Sequence, residues 1–320
     1  MKIIGAGLAG LLAGNMMRKF NPVVVERSDG LPNNHTALLR HREDKISEAT
    51  SIPFRKVKVQ KAISIKDNYG NSILLKQPNS RLSNQYSFKV TGSYLNRSID
   101  NLDDCYRWIA PPDFINQLSL GLDIKYSVDV DTAFIEKNND NPIISTMPMP
   151  EIAKLLNVDV GVEFKFRPIH VISCDISGIE CDLYQTIYYP ELDNPLYRVS
   201  ITGNRLILEF TTQIFPENVN KLILLNCISN ILLNDFGFCD DAFSKGQIYL
   251  ENYKLKNNKY GKIKDISPSA RKDFIKFLTD EYNIYSLGRY ATWRNILLDD
   301  VHNDVLVIQK LISSNGYFTG

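Results

Sequence analysis

The 320-residue chain has little cysteine and little histidine, and neither falls in a metal-binding pattern. Its five cysteines (Cys105, Cys174, Cys181, Cys227, Cys239) are an odd number with no CxxC pair. That excludes a disulfide framework and a zinc site, and fits reduced thiols in a cytoplasm. The four histidines (His35, His41, His170, His302) show no HExxH or other metal spacing. No apolar run approaches the roughly 18 residues of a spanning helix, so no membrane segment is expected. A strand reading begins at Lys2, which leaves no room for a signal peptide and again points to the cytoplasm. Net charge is only +1, so no global field draws the chain to nucleic acid or anionic lipid. Local basic stretches remain. One holds Lys254, Lys256, Lys259, Lys262 and Lys264, which read as solvated loop lysines; the other runs from Arg40 to Lys61. There are no repeats and no low-complexity segment. With 44% apolar and 23% charged residues, the chain is an ordinary globular one, long enough for one large domain or two moderate ones.

What is present is a glycine ladder at the start: Gly5, Gly7, Gly10 and Gly14. A short apolar run precedes it, and Leu11, Leu12, Ala13, Met16 and Met17 follow at helical spacing. Val23 to Val25 reads as a second buried strand closed by Glu26. Strand, glycine turn, helix, strand and acid make a mononucleotide-binding βαβ unit. Gly5 makes the turn, Gly7 lets a pyrophosphate approach, and Gly10 lets helix and sheet pack closely. The amides around Ala6, Leu8 and Ala9 and the helix dipole hold the anion. Glu26 follows Gly5 by 21 residues, near the roughly 20 expected for a carboxylate that accepts ribose hydroxyls. It disfavours a 2′-phosphate, although Arg27 beside it weakens that inference.

Further along, Asp29 to Asn34 is a loop, and Val57 and Val59 alternate with lysines as in a strand. Asn68 to Asn71 predicts a hairpin turn between Ile63–Ile65 and Ile73–Leu75. Pro111 to Asp113 opens a helix through Leu118; Leu122 to Tyr126 reads as a strand, and Val128 to Ile135 as another or its edge. Ile143 to Ser145 is a buried strand, followed by a helical stretch from Glu151 to Leu156. Candidate strands then run in succession over 160–166, 170–176, 184–189, 197–202 and 205–211, with Gly203-Asn204 as a tight hairpin. Strands without intervening helices predict an antiparallel sheet. Helices are expected over 218–233, from a Ser267 cap through Leu278, and from about Asp299 to Leu311, with a short strand at Ile284 to Leu287.

Tyr285-Ser286-Leu287-Gly288-Arg289-Tyr290-Ala291-Thr292-Trp293-Arg294, followed by Asp299-Asp300-Val301, resembles the C-terminal flavin motif of UDP-galactopyranose mutase and its amine-oxidase-like relatives. In that group a strand ends in Gly-Arg and a later helix begins with an acid. The resemblance implies that Gly288 and Arg289 meet the FAD pyrophosphate, that Asp299 or Asp300 bonds the ribityl chain, and that the Val301 amide approaches the flavin carbonyl. Ile143 to Pro148 resembles the returning strand of the group, which places Thr146 beside the adenosine end. Asn194 to Val199 resembles the segment whose arginine grips a substrate diphosphate. Two parts depart from the pattern: the second glycine pair after strand two is missing, and so is the glycine–proline–histidine segment beside the flavin. The stretches 33–42 and 52–55 look more like phage-encoded FAD oxidoreductases, and that likeness implies hypermodification of DNA bases as an alternative.

The fold expected is therefore α/β: a Rossmann-like FAD-binding domain with an inserted antiparallel β-sheet substrate domain. Residues 1–55, 120–157 and 275–320 would form the first, and 56–119 and 158–274 the second. The cofactor expected is FAD, with no metal. The function expected is an oxidoreductase that removes a hydride from a C–H next to nitrogen or oxygen of an anionic substrate. Alternatives are a non-redox flavin mutase, a DNA-base-modifying flavoenzyme, and a non-catalytic dinucleotide-binding module. His35 or His41 could carry a proton, or simply bond cofactor phosphates or pack in their loop. Arg40 is placed to meet a phosphate or to form a surface salt bridge. Tyr197 and Arg198 alternate on a strand, so one faces the pocket or core and the other faces out. An arginine in the substrate sheet suits an anion. His170 reads as a packed strand residue, and Trp293 as a large anchor close to the flavin. The partner expected is a small-molecule or nucleotide substrate; nucleic acid is not indicated by net charge.

Overall fold

A computed structural model describes residues 1–31, 40–77, 79–95, 99–212 and 221–314. Its strands, in chain order, are β1 (Lys2–Ile4), β2 (Val23–Val25), β3 (Arg40–His41), β4 (Arg55–Lys66), β5 (Ser72–Leu75), β6 (Cys105–Ile109), β7 (Asp123–Lys125), β8 (Ile143–Ser145), β9 (Phe166–Ser177), β10 (Leu183–Tyr188), β11 (Leu196–Gly203), β12 (Arg205–Phe210), β13 (Tyr249–Ile263) and β14 (Ile284–Ser286). The helices are α1 (Leu8–Met16), α2 (Lys45–Thr50), α3 (Ser80–Thr91), α4 (Phe114–Ser119), α5 (Thr132–Asn138), α6 (Met149–Leu155), α7 (Lys221–Phe236), α8 (Asp240–Ser244), α9 (Pro268–Tyr282) and α10 (Leu298–Ser314).

The first sheet is parallel, in the order β14-β8-β1-β2-β7. Strands β1, β2, β8 and β14 are mostly apolar because both faces are covered, whereas the edge strand β7 exposes Asp123 and Lys125. Ile3, Val24, Ile144 and Tyr285 face Leu11, Leu12, Phe114 and Val305. Ile4, Val25, Ile143 and Ile284 face Ile135, Ile152, Phe274 and Leu278. Each such side chain contributes roughly 1.5–3 kcal/mol on burial. Strands from residues 2 to 286 thus meet in one sheet, with the first and last strands separated only by β8.

The second sheet runs β13-β9-β12-β11-β10-β4-β6-β3, with β5 paired to β4. It is antiparallel except where β10 lies parallel to β4. A parallel pair needs a long crossover, and here the chain passes through the first sheet between the two strands. The outer face carries Ala62, Ile187, Val199, Ile201, Leu206 and Leu208 against α7. Alternation puts Thr186, Arg198, Ser200, Thr202, Arg205 and Glu209 on the inner face.

Several expectations are overturned. Residues 128–135 do not form a second strand; Asp131 caps α5, its Oδ1 accepting the Phe134 amide at 2.7 Å. That cap outweighs the β-branched run before it. Residues 160–165 are not strand either: Asp159 Oδ1 accepts the Gly161 amide at 2.8 Å, and Gly161 has φ +69°, a turn. The Ser267 hydroxyl does not cap α9 but meets that of Ser269 at 2.8 Å. The lysines of 254–264 are not loop lysines but lie on or just after β13, an edge strand. Lysine on an edge discourages pairing with another chain. Among the described residues no helix is long and apolar enough to cross a membrane.

Candidate functional site

The glycine turn closes on itself tightly. Gly5 has φ +96°, and a Cβ there would fall 2.3 Å from Thr146 Oγ1. A Cβ at Gly10 would fall 1.9 Å from the Gly5 carbonyl oxygen, so only glycine lets α1 sit this close to β1. Thr146 completes the seat, its Oγ1 donating to the Ile4 carbonyl at 2.7 Å. A Cβ at Gly7 would meet nothing within 4 Å. The first helical bond of α1 runs from the Leu11 amide to the Gly7 carbonyl, so the amides of Leu8, Ala9 and Gly10 precede it and suit an anion. Ala6 is buried, and its amide donates to Glu26 Oε2 at 2.7 Å. Glu26 Oε1 accepts the amide and hydroxyl of Ser28, each at 2.9 Å. Burial alone would push the Glu26 carboxyl up; the bonds from Ser28 and Ala6 outweigh it and hold the group below its ordinary value. Arg27 is exposed.

The C-terminal motif lands on this turn. Gly288 has φ +93°, and a Cβ there would lie 2.9 Å from the Ala9 Cβ. Arg289 follows, with Nη2 donating to Asn295 Oδ1 at 3.1 Å and to the Gly261 carbonyl at 3.4 Å. Trp293 is buried and sits against Phe164 and Tyr260 while its Nε1 donates to the Lys264 carbonyl at 2.9 Å. It is thus an anchor between the end of β13 and the first domain.

Three consecutive residues then bridge the two sheets. Arg40 reaches the inner face of the second sheet. Its Nη1 donates to Thr186 Oγ1 at 2.7 Å and its Nε to Thr202 Oγ1 at 3.0 Å, and Nη2 also meets the Ile201 carbonyl. Burial, and then neighbouring Arg198, lower the Arg40 guanidinium to about 10. Among the described residues no carboxylate pairs with it. Its donors are therefore spent on the second sheet, not on a surface salt bridge. His41 is buried, stacked on Phe54 with ring centroids 4.9 Å apart, and its Nδ1 lies 3.7 Å from Asp299 Oδ2. Its Nε2 has no hydrogen-bond partner among the described residues. Arg42 pairs with Asp300.

Asp299 and Asp300 therefore do more than open α10. Asp299 Oδ1 accepts the Arg42 amide at 3.0 Å. Burial raises the Asp299 carboxyl, but His41 and the amides of Glu43 and Arg42 hold it below its usual value. Asp300 Oδ2 accepts the Leu297 amide at 2.8 Å, the reciprocal half of a capping box. The Val301 amide donates to the Leu297 carbonyl at 3.2 Å. That corrects the expectation that it points to a flavin carbonyl: the helix has already begun, and this N–H closes its first turn.

On the inner face, Tyr197 and Arg198 do not alternate. A register shift between Leu196 and Arg198 puts both on one side. The Tyr197 hydroxyl donates to Glu209 Oε1 at 2.9 Å, and Arg198 Nη2 donates to the same oxygen at 2.8 Å. Burial would raise the Glu209 carboxyl; Arg198 and then Lys262 outweigh it and hold it at about 2. Arg198 is correspondingly held above its usual value despite its own burial. Sequence reasoning did not single out Glu209, Thr186, Thr202 or Arg107, which stands opposite Val57 on β6 and is one of the cations that lower Arg40; nothing in their local pattern marks them. His35 lies outside the described residues.

No protein-family model matches the chain, and no curated protein matches it. Solved structures do. The fold is similar to that of UDP-galactopyranose mutase. The reduced form of that enzyme aligns over 98% of this chain and 93% of its own, with a TM-score of 0.63 and 13% identity. A fatty acid isomerase from P. acnes aligns over 97% of both chains, with a TM-score of 0.57 and 12% identity. A flavin-dependent brominase aligns over 98% of this chain and 80% of its own, with a TM-score of 0.51 and 11% identity. These likenesses establish the architecture, a Rossmann-like domain joined to a second sheet domain. In this mutase-like fold the glycine turn, the Gly288-Arg289 turn and the start of α10 stand on the first domain, while Arg40 and Arg198 stand on the second.

Proposed function

We propose that the chain is an FAD-dependent oxidoreductase that removes a hydride from a C–H next to nitrogen or oxygen of an anionic substrate. The observation that carries the cofactor assignment is the meeting of the two chain ends at α1. Gly5 and Gly10 admit no side chain, Gly7 has open space, and Gly288 rests on Ala9. The residues present fit a dinucleotide. Leu8, Ala9 and Gly10 amides with Arg289 would hold its diphosphate, Glu26 its ribose, Thr146 the adenosine end, and the N-terminal turn of α10 the flavin end. The flavin-dependent brominase of the same fold supports the same choice. When bound, FAD supplies the electron acceptor.

The chain supplies orientation and charge. Arg40, Arg107 and Arg198 come from three strands to the inner face, and Lys262 stands over the Tyr197 ring at 4.9 Å. Glu209 answers Arg198. Arg198 thus serves as a fixed support in this face, while Arg40, its N–H groups already held by the sheet, and Arg107 have no carboxylate partner among the described residues, and their charge favours an anionic substrate group. His41, stacked on Phe54 and backed by Asp299, can hold a proton at Nε2.

The test is anaerobic. FAD-loaded protein is mixed with amines and alcohols carrying a carboxylate or phosphate, and with their neutral esters. Loss of the oxidised-flavin absorbance with the anions, with a Michaelis constant raised about tenfold or more in Arg40→Ala, is the expected result. Equal rates with the neutral esters would remove the anionic assignment. Flavin that accepts electrons only from a nicotinamide cofactor or dithionite, never from substrate, would instead favour mutase-like use of the same site.

A further inference from the structure

On the outer face of the second sheet, away from Arg40 and Glu209, a cavity of about 300 Å³ lies between the strands and α7. Its walls are mostly apolar, including Ile172, Leu208, Phe210, Leu224 and Ile228. That volume is at the lower end of small-ligand pockets. At the rim stand Lys66 and Glu191, and Glu191 Oε1 accepts the Lys66 backbone amide at 2.8 Å.

One wall carries a charge that does not belong among such residues. Asp235 is 5% exposed. Its Oδ1 accepts the Ser64 hydroxyl at 2.8 Å and its Oδ2 accepts the Tyr189 hydroxyl at 3.0 Å. Burial, and then Asp235 itself, push the Tyr189 phenol well above its usual value, so it remains a donor. Two neutral hydroxyls hold the carboxylate in place without cancelling its charge. Among the described residues no lysine, arginine or histidine forms an ion pair with it. Its position adds to the imbalance. Asp235 is the penultimate residue of α7, where the helix dipole is negative and no basic residue occupies the last turn. A buried carboxylate in apolar surroundings calls for a cation. The walls decide which kind: Ser64, Asn194, Asn230 and Asn234 add neutral polar groups, but among the described residues no group of three histidine, cysteine or carboxylate side chains stands there to hold a metal ion, whereas Ile172, Leu208 and Phe210 suit hydrocarbon.

We propose that this cavity binds a small organic ammonium, its N–H groups on Asp235 and its alkyl body against the apolar wall. The site is separate from the flavin site and opens on the opposite face of the sheet. Tyr188 and Tyr189, adjacent in sequence, face the inner surface and the cavity respectively.

The probe is n-butylammonium chloride, with n-butanol as its neutral counterpart and sodium chloride for ionic strength, on the full-length FAD-loaded protein. Calorimetric titration should show saturable binding of n-butylammonium and none of n-butanol at equal concentration. Asp235→Asn, which keeps shape and removes charge, should weaken binding by about tenfold or more. Cys227 lines the same cavity and is exposed, so the wild-type chain provides a second readout. Its alkylation, followed by peptide mass, should slow with n-butylammonium while that of Cys181 and Cys239 does not. This readout decides the matter even if Asp235→Asn fails to fold. Binding of n-butanol as tight as that of the amine, equal binding by Asp235→Asn, or undiminished labelling of Cys227 would overturn the proposal.

Discussion

Gly288 presses its backbone against the methyl group of Ala9, so closely that a Cβ on the glycine would come within 2.9 Å of it. The contact joins a turn near the end of the chain to the first turn of α1, across 279 positions (288 − 9). Gly288→Ala meets both this contact and a φ of +93°. A loss of about 2 kcal/mol in unfolding free energy is expected, measured by urea denaturation, together with weaker FAD uptake. Unchanged stability would mean that the two turns are not in contact.

Gly7 and Gly10 should separate binding from folding. A Cβ at Gly7 has open space, and its φ of −74° and ψ of 178° suit alanine. Gly7→Ala should therefore shift stability by less than about 0.5 kcal/mol while reducing FAD affinity about tenfold or more. Gly10→Ala would drive a methyl onto the Gly5 carbonyl and should cost more than about 3 kcal/mol or prevent folding. Thermal melts with and without FAD distinguish the two patterns.

Lys89 is buried, and its Nζ donates to the carbonyls of Tyr189 and Leu196, each at 2.7 Å. Burial lowers its ammonium from 10.5 to about 7, against the pull of Glu191 and Asp193. Below about pH 7 both folded and unfolded chains carry the proton, and the penalty for burying it is present in full. Between 7 and 10.5 the unfolded chain binds more protons, so stability rises with pH. The slope for this one group reaches roughly 1.4 kcal/mol per pH unit. Urea denaturation at several pH values should show the stability of wild type relative to Lys89→Met rising by about that amount for each pH unit within the window. A constant difference would contradict the assignment.

Glu209→Gln should leave Arg198 and Lys262 without their carboxylate and cost about 3–5 kcal/mol. Removing Arg198 as well should restore part of that loss, so the double variant is less destabilised than the sum of the singles. The carboxylate's contribution is present above its unfolded value near 4.5 and fades as pH falls toward about 2. Additive singles would show that the pair does not interact.

The first domain was legible because its signals are local. A strand, the glycines Gly5, Gly7 and Gly10 and an acid within Lys2 to Glu26 specify the turn and the helix and strand that follow it. The Gly-Arg turn and the acids opening α10 were equally visible. What the sequence concealed depends on tertiary context. Tyr197 and Arg198 share a face through a bulge, which no alternation reveals. Arg40 bonds Thr202, 162 positions away, so its neighbours in sequence say nothing of its role. The β13 lysines have poor strand propensity and are accepted there because the strand is an edge. Residues 128–135 misled through their β-branched residues, while a single aspartate cap decided for helix. Asp299 and Asp300 were expected to face a cofactor chain, yet each also holds backbone or side-chain groups around the start of α10.

The most direct test of the central claim is the visible spectrum of the purified chain after incubation with excess FAD and desalting. A retained oxidised-flavin band, with one FAD released per chain on denaturation and a reduced yield in Arg289→Ala, is the predicted result. Protein that remains colourless, or that keeps full FAD when both Gly7 and Arg289 are replaced by alanine, would contradict it.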